Sequence, residues 1–350
     1  MKTTYRAMQV TPSGQLELVH RPVPTPSMGE VLLEVEACGI CGADIADIEK
    51  NRHDGTIRRV PGHEVVGRIV ACGSAVPAMW SLGKRVGVGR MAGPCYQCDQ
   101  CRQGRFQLCR NQPIVGATCD GGYAEMMLAR SSGLVSIPDE LSSLEAAPLL
   151  CAGLATFNAL RKCGAQAGDI VAILGIGGLG HMALQYARKM GYKVIAIGRG
   201  KEIAEDALRL GAHEYLDNLE ENAVERLREL GGAQALITMI SQVDVITTWL
   251  AALAPEGKLV VLNPGKDPLP VPAGLLVGGQ RSIEGSLTGT PHDSERTLAF
   301  SVLVDALPQI EIRPLAKANE AHQQLKSGKV NFRLVLDMAA DTPEPIQHPS

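Results

Sequence analysis

The chain has 350 residues, 45% of them hydrophobic, and its 34 Lys and Arg against 37 Asp and Glu leave a net charge of −3. That length suggests about two domains around a sizeable core, and the mixed charge marks no basic face for nucleic acid. Aromatic residues are only 3% of the chain, too few for a base-stacking surface, and no uninterrupted apolar run reaches the ~18 residues of a membrane span. Neither nucleic acid nor a membrane is an expected partner.

The opening stretch MKTTYRAMQV has no apolar signal core. Export is therefore not marked, and a cytoplasmic, reducing setting is expected for the ten cysteines. The first 150 residues look β-rich: EVLLEVEACGI, HEVVGRIVACG and KRVGVGR are short apolar runs divided by Gly, Pro and Ser turns. From APLLCAGLATFNALRKCG onward strand and helix periods alternate. DIVAILG reads as a strand, LGHMALQYARKMG as a helix closed by Gly191, YKVIAIG as a strand and KEIAEDALRLG as a helix. ALITMI and KLVVLNPG read as further strands. Alternating units of this length imply a doubly wound parallel sheet, so the fold class is α/β. Near the end, NEAHQQLKSGKVNFRLVLDM reads as helix, Gly turn and strand, and the tail after Asp341 as loose.

Cys95, Cys98, Cys101 and Cys109 crowd one polar loop, GPCYQCDQCRQGRFQLC. A disulfide knot suits a small secreted domain rather than this chain. An iron–sulfur run begins the same way but closes sooner, with C-x₃-C-P. A four-thiolate zinc site tolerates the longer closing loop. Zinc enclosed by four thiolates has no open position, so it would shape the chain rather than do chemistry.

GIGGLG places Gly175, Gly177 and Gly180 in a G-x-G-x-x-G frame, with Gly178 and Leu179 inside it, after a strand and before a helix. In that context the turn cradles a dinucleotide pyrophosphate at the helix N-terminus. An NAD site usually carries an acid at the end of the next strand. Here VIAIGRGKE puts Gly198 there, followed by Arg199 and Lys201. The missing acid and the added guanidinium favour the 2′-phosphate of NADP(H) over NAD(H).

The segments CGICGAD, PGHEVVG and PLLCAG supply Cys41, His63 and Cys151. Two thiolates and an imidazole make a three-ligand zinc set with a fourth position open, although spacing alone does not link them. The stretch GHEVVGRIVACGSAV resembles the zinc signature of the medium-chain alcohol dehydrogenases. The four-cysteine loop, LLCAG, GIGGLGH and SGKVNFRLVLD match that family in order over nearly the whole chain, most closely its microbial and cinnamyl-type members. The resemblance implies a GroES-like catalytic domain at 1–151 bearing a structural zinc lobe. It implies a Rossmann domain at 152–288 and a return to the catalytic domain at 289–350. It implies two zinc ions per chain, the catalytic one held by Cys41, His63 and Cys151 with Glu64 beneath, and the structural one by the four-cysteine loop. Asp44 matches the acid that orients the zinc histidine, Arg333 a basic residue near the cofactor pyrophosphate, and Met91 a pocket position. The implied reaction is hydride exchange between a primary alcohol or aldehyde and NADP(H), in a homodimer or homotetramer. NAD(H) use, or a non-catalytic scaffold, are the alternatives.

Two positions depart from the family: Ala43 stands where Ser or Thr takes the alcohol proton, and Ala46 where a histidine often passes it on. Ala155 also stands where relatives often carry Thr, with Thr156 beside it. His53 is the one nearby substitute carrier, though it reads as a surface-loop residue. Cys38, Cys72, Cys119 and Cys163 read as packed thiols, and His181 as a helix-start residue near the cofactor.

Overall fold

The computed structural model describes residues 2–54, 58–220, 222–263 and 265–340, without the side chains of 51–54. The chain forms two compact units: Met1–Cys151 with Thr290–Val302 and Pro308–Ser350, and Ala152–Gly289 with Leu303–Leu307. The tail after Asp341 lies outside the described residues, as does the side chain of His53, whose position falls in the helix Gly42–Asp54 rather than a loop.

The first unit is built on the strand Glu30–Ile40. Val31, Leu33 and Val35 are buried with Ile69, Val86 and Val88 in one apolar cluster. The sheet runs Ile310–Pro314, Arg333–Asp337, Glu30–Ile40, Glu64–Cys72, Arg85–Val88, Leu134–Ser136, with Met126–Arg130 also pairing Glu30–Ile40. An N-terminal hairpin, Thr4–Val10 with Leu16–Pro22, forms a separate two-stranded sheet.

The helix Ser143–Lys162 opens on a capping box between Ser142 and Glu145. It widens into a π turn at Leu149–Gly153 and continues as Leu154–Lys162. By length and composition it could cross a membrane, but 83% of its most apolar window is buried inside the protein. It is a core helix, and Ser, Glu, Pro and Asn along it hide its apolar character from a search for unbroken runs.

The second unit holds six parallel strands in the order Glu214–Asp217, Lys193–Gly198, Ile170–Leu174, Ala233–Thr238, Leu253–Val261, Ser282–Gly285. The order reverses direction beside Ile170–Leu174, which makes its C-terminal end the switch point where doubly wound sheets bind ligands. Val171, Ala172 and Ile173 are fully buried, as are Val194, Ile195, Ala196 and Ile197, which accounts for their unbroken apolar runs. The helix Gly180–Lys189 links these two strands and buries Met182, Ala183, Tyr186 and Ala187. Gly191 follows with φ +88°, the left-handed close of that helix.

The turn into this helix depends on two glycines for different reasons. Gly175 has φ +100°, and a Cβ on Gly180 would lie 2.1 Å from the Gly175 carbonyl oxygen. A Cβ on Gly177 meets nothing within 4 Å. Gly180→Ala is therefore expected to destabilise the fold by roughly 1–3 kcal/mol, seen as a lower thermal midpoint. Gly177→Ala should change stability by no more than about 0.5 kcal/mol yet weaken dinucleotide binding in a fluorescence titration.

Candidate functional site

Strand register gathers one group of side chains. Gly39 pairs with Glu64, and Ile40 with Leu334. Cys41 just past the first strand, His63 just before the second, Glu64, and Arg333 at the start of the third are thus delivered to one end of the sheet. Cys151 comes from the π turn, a feature common at functional sites. Ligand atoms of Cys41, His63, Glu64 and Cys151 all lie within 4.8 Å of one another, and all four residues are buried. The Cys41 and Cys151 sulfurs are 3.8 Å apart, and His63 Nε2 is 3.4 Å from Cys151 Sγ. A tetrahedral zinc with bonds of about 2.3 Å to sulfur needs edges of about 3.8 Å. The donor set and spacing fit such an ion. The contact with Cys151 pulls the Cys41 thiol well below its ordinary range, and the contact with Cys41, with burial, raises Cys151.

Asp44 organises this group. It lies in the first turn of the helix Gly42–Asp54 and is fully buried. Its Oδ1 accepts from His63 Nδ1 at 2.8 Å, and its Oδ2 from the Cys41 N–H and the Tyr123 hydroxyl, each at 2.9 Å. Burial opposes a charge on His63, but Asp44 outweighs it and raises the imidazole pKa. Burial and then Asp44 also raise the Tyr123 pKa, so its hydroxyl stays a donor.

Glu64 is buried against Arg333, whose Nη2 donates to both carboxylate oxygens, while Arg333 Nε is buried without a partner among the described residues. Burial pushes the Glu64 carboxyl up to about 7 against the pull of Arg333. A Cβ at Gly39 would stand 1.9 Å from Glu64 Oε2, so glycine makes room for this acid.

The sulfur atoms of Cys95, Cys98, Cys101 and Cys109 also lie within 4.8 Å of one another. Cys95 and Cys101 are 4.0 Å apart, and Cys98 and Cys109 3.9 Å. Backbone N–H groups of Gln97 and Cys98 point at Cys95 Sγ from 3.5 and 3.4 Å and lower its pKa to about 6. Tyr96 takes φ +58° to allow this, and its ring packs edge-on against Phe106. Burial raises the Cys101 thiol to about 12, and the separations of the four sulfurs fit the edges of one tetrahedral ion site.

In the second unit, a Cβ on Gly198 would stand 2.5 Å from the Tyr215 hydroxyl, which donates to the Gly200 carbonyl at 2.6 Å. Tyr215 thus occupies the space an acid at this strand end would need. Asp217 Oδ1, on the neighbouring strand, accepts from the Gly200 and Leu219 N–H groups. Lys201 faces Glu220 at 3.4 Å on the surface. Arg199 is exposed, with no side-chain partner among the described residues.

Residues 27–139 match the family model of the alcohol dehydrogenase GroES-like domain, and residues 178–302 that of the zinc-binding dehydrogenase. The chain is 41% identical over 317 residues to an alcohol dehydrogenase of Aspergillus sp. (strain MF297-2), covering 91% of this chain and 93% of that protein. It is 32% identical over 320 residues to an NADP-dependent alcohol dehydrogenase C of Mycolicibacterium smegmatis, with 89% and 91% covered. A cinnamyl alcohol dehydrogenase structure from Sorghum bicolor matches with a TM-score of 0.87 at 28% identity, over 98% and 99% of the two chains. The chain belongs to the zinc-containing medium-chain alcohol dehydrogenase family.

As a zinc alcohol dehydrogenase dependent on a nicotinamide cofactor, the protein combines a GroES-like unit with a Rossmann unit. Sequence reasoning overlooked Tyr123, Asp47 and Arg90 around the cluster of Cys41, His63, Glu64 and Cys151. Arg90 donates to Asp47 at 2.7 and 3.1 Å. Burial works against the Arg90 charge, but Asp47 raises its pKa, with Cys151 and Asp44 adding to the effect. Tyr123 had a faint signal, an isolated aromatic after Gly121 and Gly122 in an aromatic-poor chain. Of the thiols expected to be packed, Cys38 and Cys163 are buried and Cys119 half-buried, but Cys72 is exposed, with its sulfur near the Trp80 carbonyl. His181 is buried in the first turn of the helix Gly180–Lys189, and Met91 forms a bridge with Ile114. Tyr123→Phe removes one of three donors to a buried carboxylate. It should weaken metal retention roughly 10-fold or more in a chelator competition while lowering stability by only about 1 kcal/mol.

Proposed function

We propose that this dehydrogenase interconverts primary alcohols and aldehydes with NADP(H), using a catalytic zinc at Cys41, His63 and Cys151 and a structural zinc at Cys95, Cys98, Cys101 and Cys109. The buried convergence of two thiols and an imidazole beside Glu64 carries the reading. When bound there, zinc supplies a Lewis acid that polarises an alcohol or carbonyl oxygen, and the nicotinamide supplies or accepts the hydride.

The chain's own groups position and exclude. Asp44 holds His63 with its Nε2 turned toward Cys151, and Cys41 and Cys151 are both buried. Glu64 and Arg333 neutralise one another beneath it. Ala43 and Ala46 carry neither hydroxyl nor imidazole, so the reacting proton exchanges with solvent water rather than with a side chain at those positions. Gly177 leaves open backbone for a pyrophosphate, and Arg199 stands free for a 2′-phosphate beside a strand end that Tyr215 closes to an acid. All ten cysteines are free, which suits a cytoplasmic, reducing setting. Among the described residues the strand Ser282–Gly285 ends its sheet with one edge unpaired, and Val277 and Leu287 near it are 78% and 50% exposed. That edge supports a homo-oligomer, dimer or tetramer.

Elemental analysis should find two zinc ions per chain. Cys98→Ser is expected to lose one with a clear fall in thermal midpoint, whereas Cys151→Ser should lose turnover with the fold largely kept. Full activity in Cys151→Ser would sink the catalytic assignment. NADPH should give a higher kcat/KM than NADH. Arg199→Ala should cut that preference by roughly 10–100-fold, the worth of a charge-assisted hydrogen bond of about 1.5–3 kcal/mol. Equal losses with both cofactors would mean that Arg199 does not read the phosphate.

A further inference from the structure

Arg90 lies just past the strand Arg85–Val88, and its guanidinium meets the helix Gly42–Asp54 through a two-pronged contact with Asp47. A carboxylate oxygen of Asp47, one of Asp44 and a ring nitrogen of His63 lie within 4.8 Å of one another. The guanidinium is therefore one salt bridge away from the metal-ligand cluster.

Holding the cluster does not explain this pair. His63 Nδ1 already has Asp44 as its partner, and the other Asp44 oxygen is taken by Cys41 and Tyr123. The Glu64 side of the cluster is closed by Arg333, whose side chain is 3% exposed. The Arg90 side chain is 24% exposed, so this polar group is both beside the cluster and reachable from outside. An arginine carries five N–H donors in a fixed plane. Asp47 takes two of those on Arg90, and the other three have no partner among the described residues. Asp47 also pairs with the guanidinium charge. What remains is a rigid fork, anchored on one edge and able to donate on the other.

We propose that Arg90, held by Asp47, selects substrates by donating hydrogen bonds to a second oxygen, so that the enzyme prefers aldehydes and alcohols bearing a carboxylate or carbonyl a few carbons from the reacting carbon. This rests on the alcohol–aldehyde reading above and names the substrate class for that site.

The test compares 4-oxobutanoate, its methyl ester and pentanal, which share the reacting aldehyde and differ in the second oxygen. For the wild-type enzyme, kcat/KM should be at least about 10-fold higher for one or both oxygenated aldehydes than for pentanal. Preference for the acid alone assigns a carboxylate; preference for both assigns any acceptor oxygen. Arg90→Gln should lower kcat/KM for the preferred compounds by roughly 10–100-fold, mainly through KM, and leave pentanal within about twofold. The double variant Arg90→Gln with Asp47→Asn removes both charges so that neither is left buried without its partner, and should show the same selective loss if the single variant is unstable. Equal wild-type efficiency with all three compounds overturns the proposal. So does a uniform loss in both variants, which would make Arg90 only a support for Asp47. Reduction of pentanal without discrimination fails this proposal alone. No reduction of any of the three removes the alcohol–aldehyde reading and this proposal with it.

Discussion

Three donors converge on Asp44, and the cluster of Cys41, His63, Glu64 and Cys151 depends on that convergence. A carboxylate with no exposed surface is costly unless its oxygens are satisfied, and here the donors come from three separate stretches of chain. The Cys41 N–H fixes the loop between strand and helix. His63 Nδ1 fixes the ring, so that the opposite nitrogen faces Cys151. Tyr123 closes the remaining side, and it fits only because Gly62 lacks a Cβ, which would stand 2.3 Å from the Tyr123 ring. Gly62 takes φ +96°, which L side chains rarely adopt. One buried charge therefore sets constraints on residues 41, 62, 63 and 123 together.

The second buried pair answers a different constraint. Glu64 must follow His63 in the chain, and the register with Gly39 turns its carboxylate inward. Burial alone would leave that charge unpaired. Arg333 reaches it because Arg333–Asp337 runs along the other edge of Glu30–Ile40. A chain segment far from residue 64 in sequence thus completes the cluster at the same sheet end. Buried ion pairs of this kind are weak sources of net stability, since desolvation offsets much of their attraction. The pair is better understood as making an acid tolerable beside two sulfurs than as holding the unit together.

The parts legible in sequence are those in which chemistry is packed into a few consecutive residues. The four-cysteine loop and the glycine turn each carry their geometry locally, so spacing alone pointed to one metal knuckle and one dinucleotide turn. Cys41, His63 and Cys151 were linked only through family resemblance, because no local spacing joins positions that strand register and a π turn bring together. Tyr123, Asp47 and Arg90 were not legible for the same reason: Arg90 is 43 residues from Asp47, and Tyr123 is 79 from Asp44. The glycine at position 198 told of a missing acid, but not that the Tyr215 hydroxyl stands where an acid's side chain would go. Short edge strands such as Ser282–Gly285 gave no clear alternation, since only their neighbours in the sheet define them.

The acids around the cluster each have a fixed partner: Asp44 has His63, Glu64 has Arg333, and Asp47 has Arg90. A carboxylate held this way positions its neighbour well, but it moves a proton only by giving up the contact that makes its burial tolerable. A free hydroxyl or imidazole would not carry that cost, yet positions 43 and 46 are both alanine. The chain has therefore committed its polar side chains here to orientation. On the proposed reading, solvent handles the proton, and the protein's control over the reaction lies in where it holds the substrate.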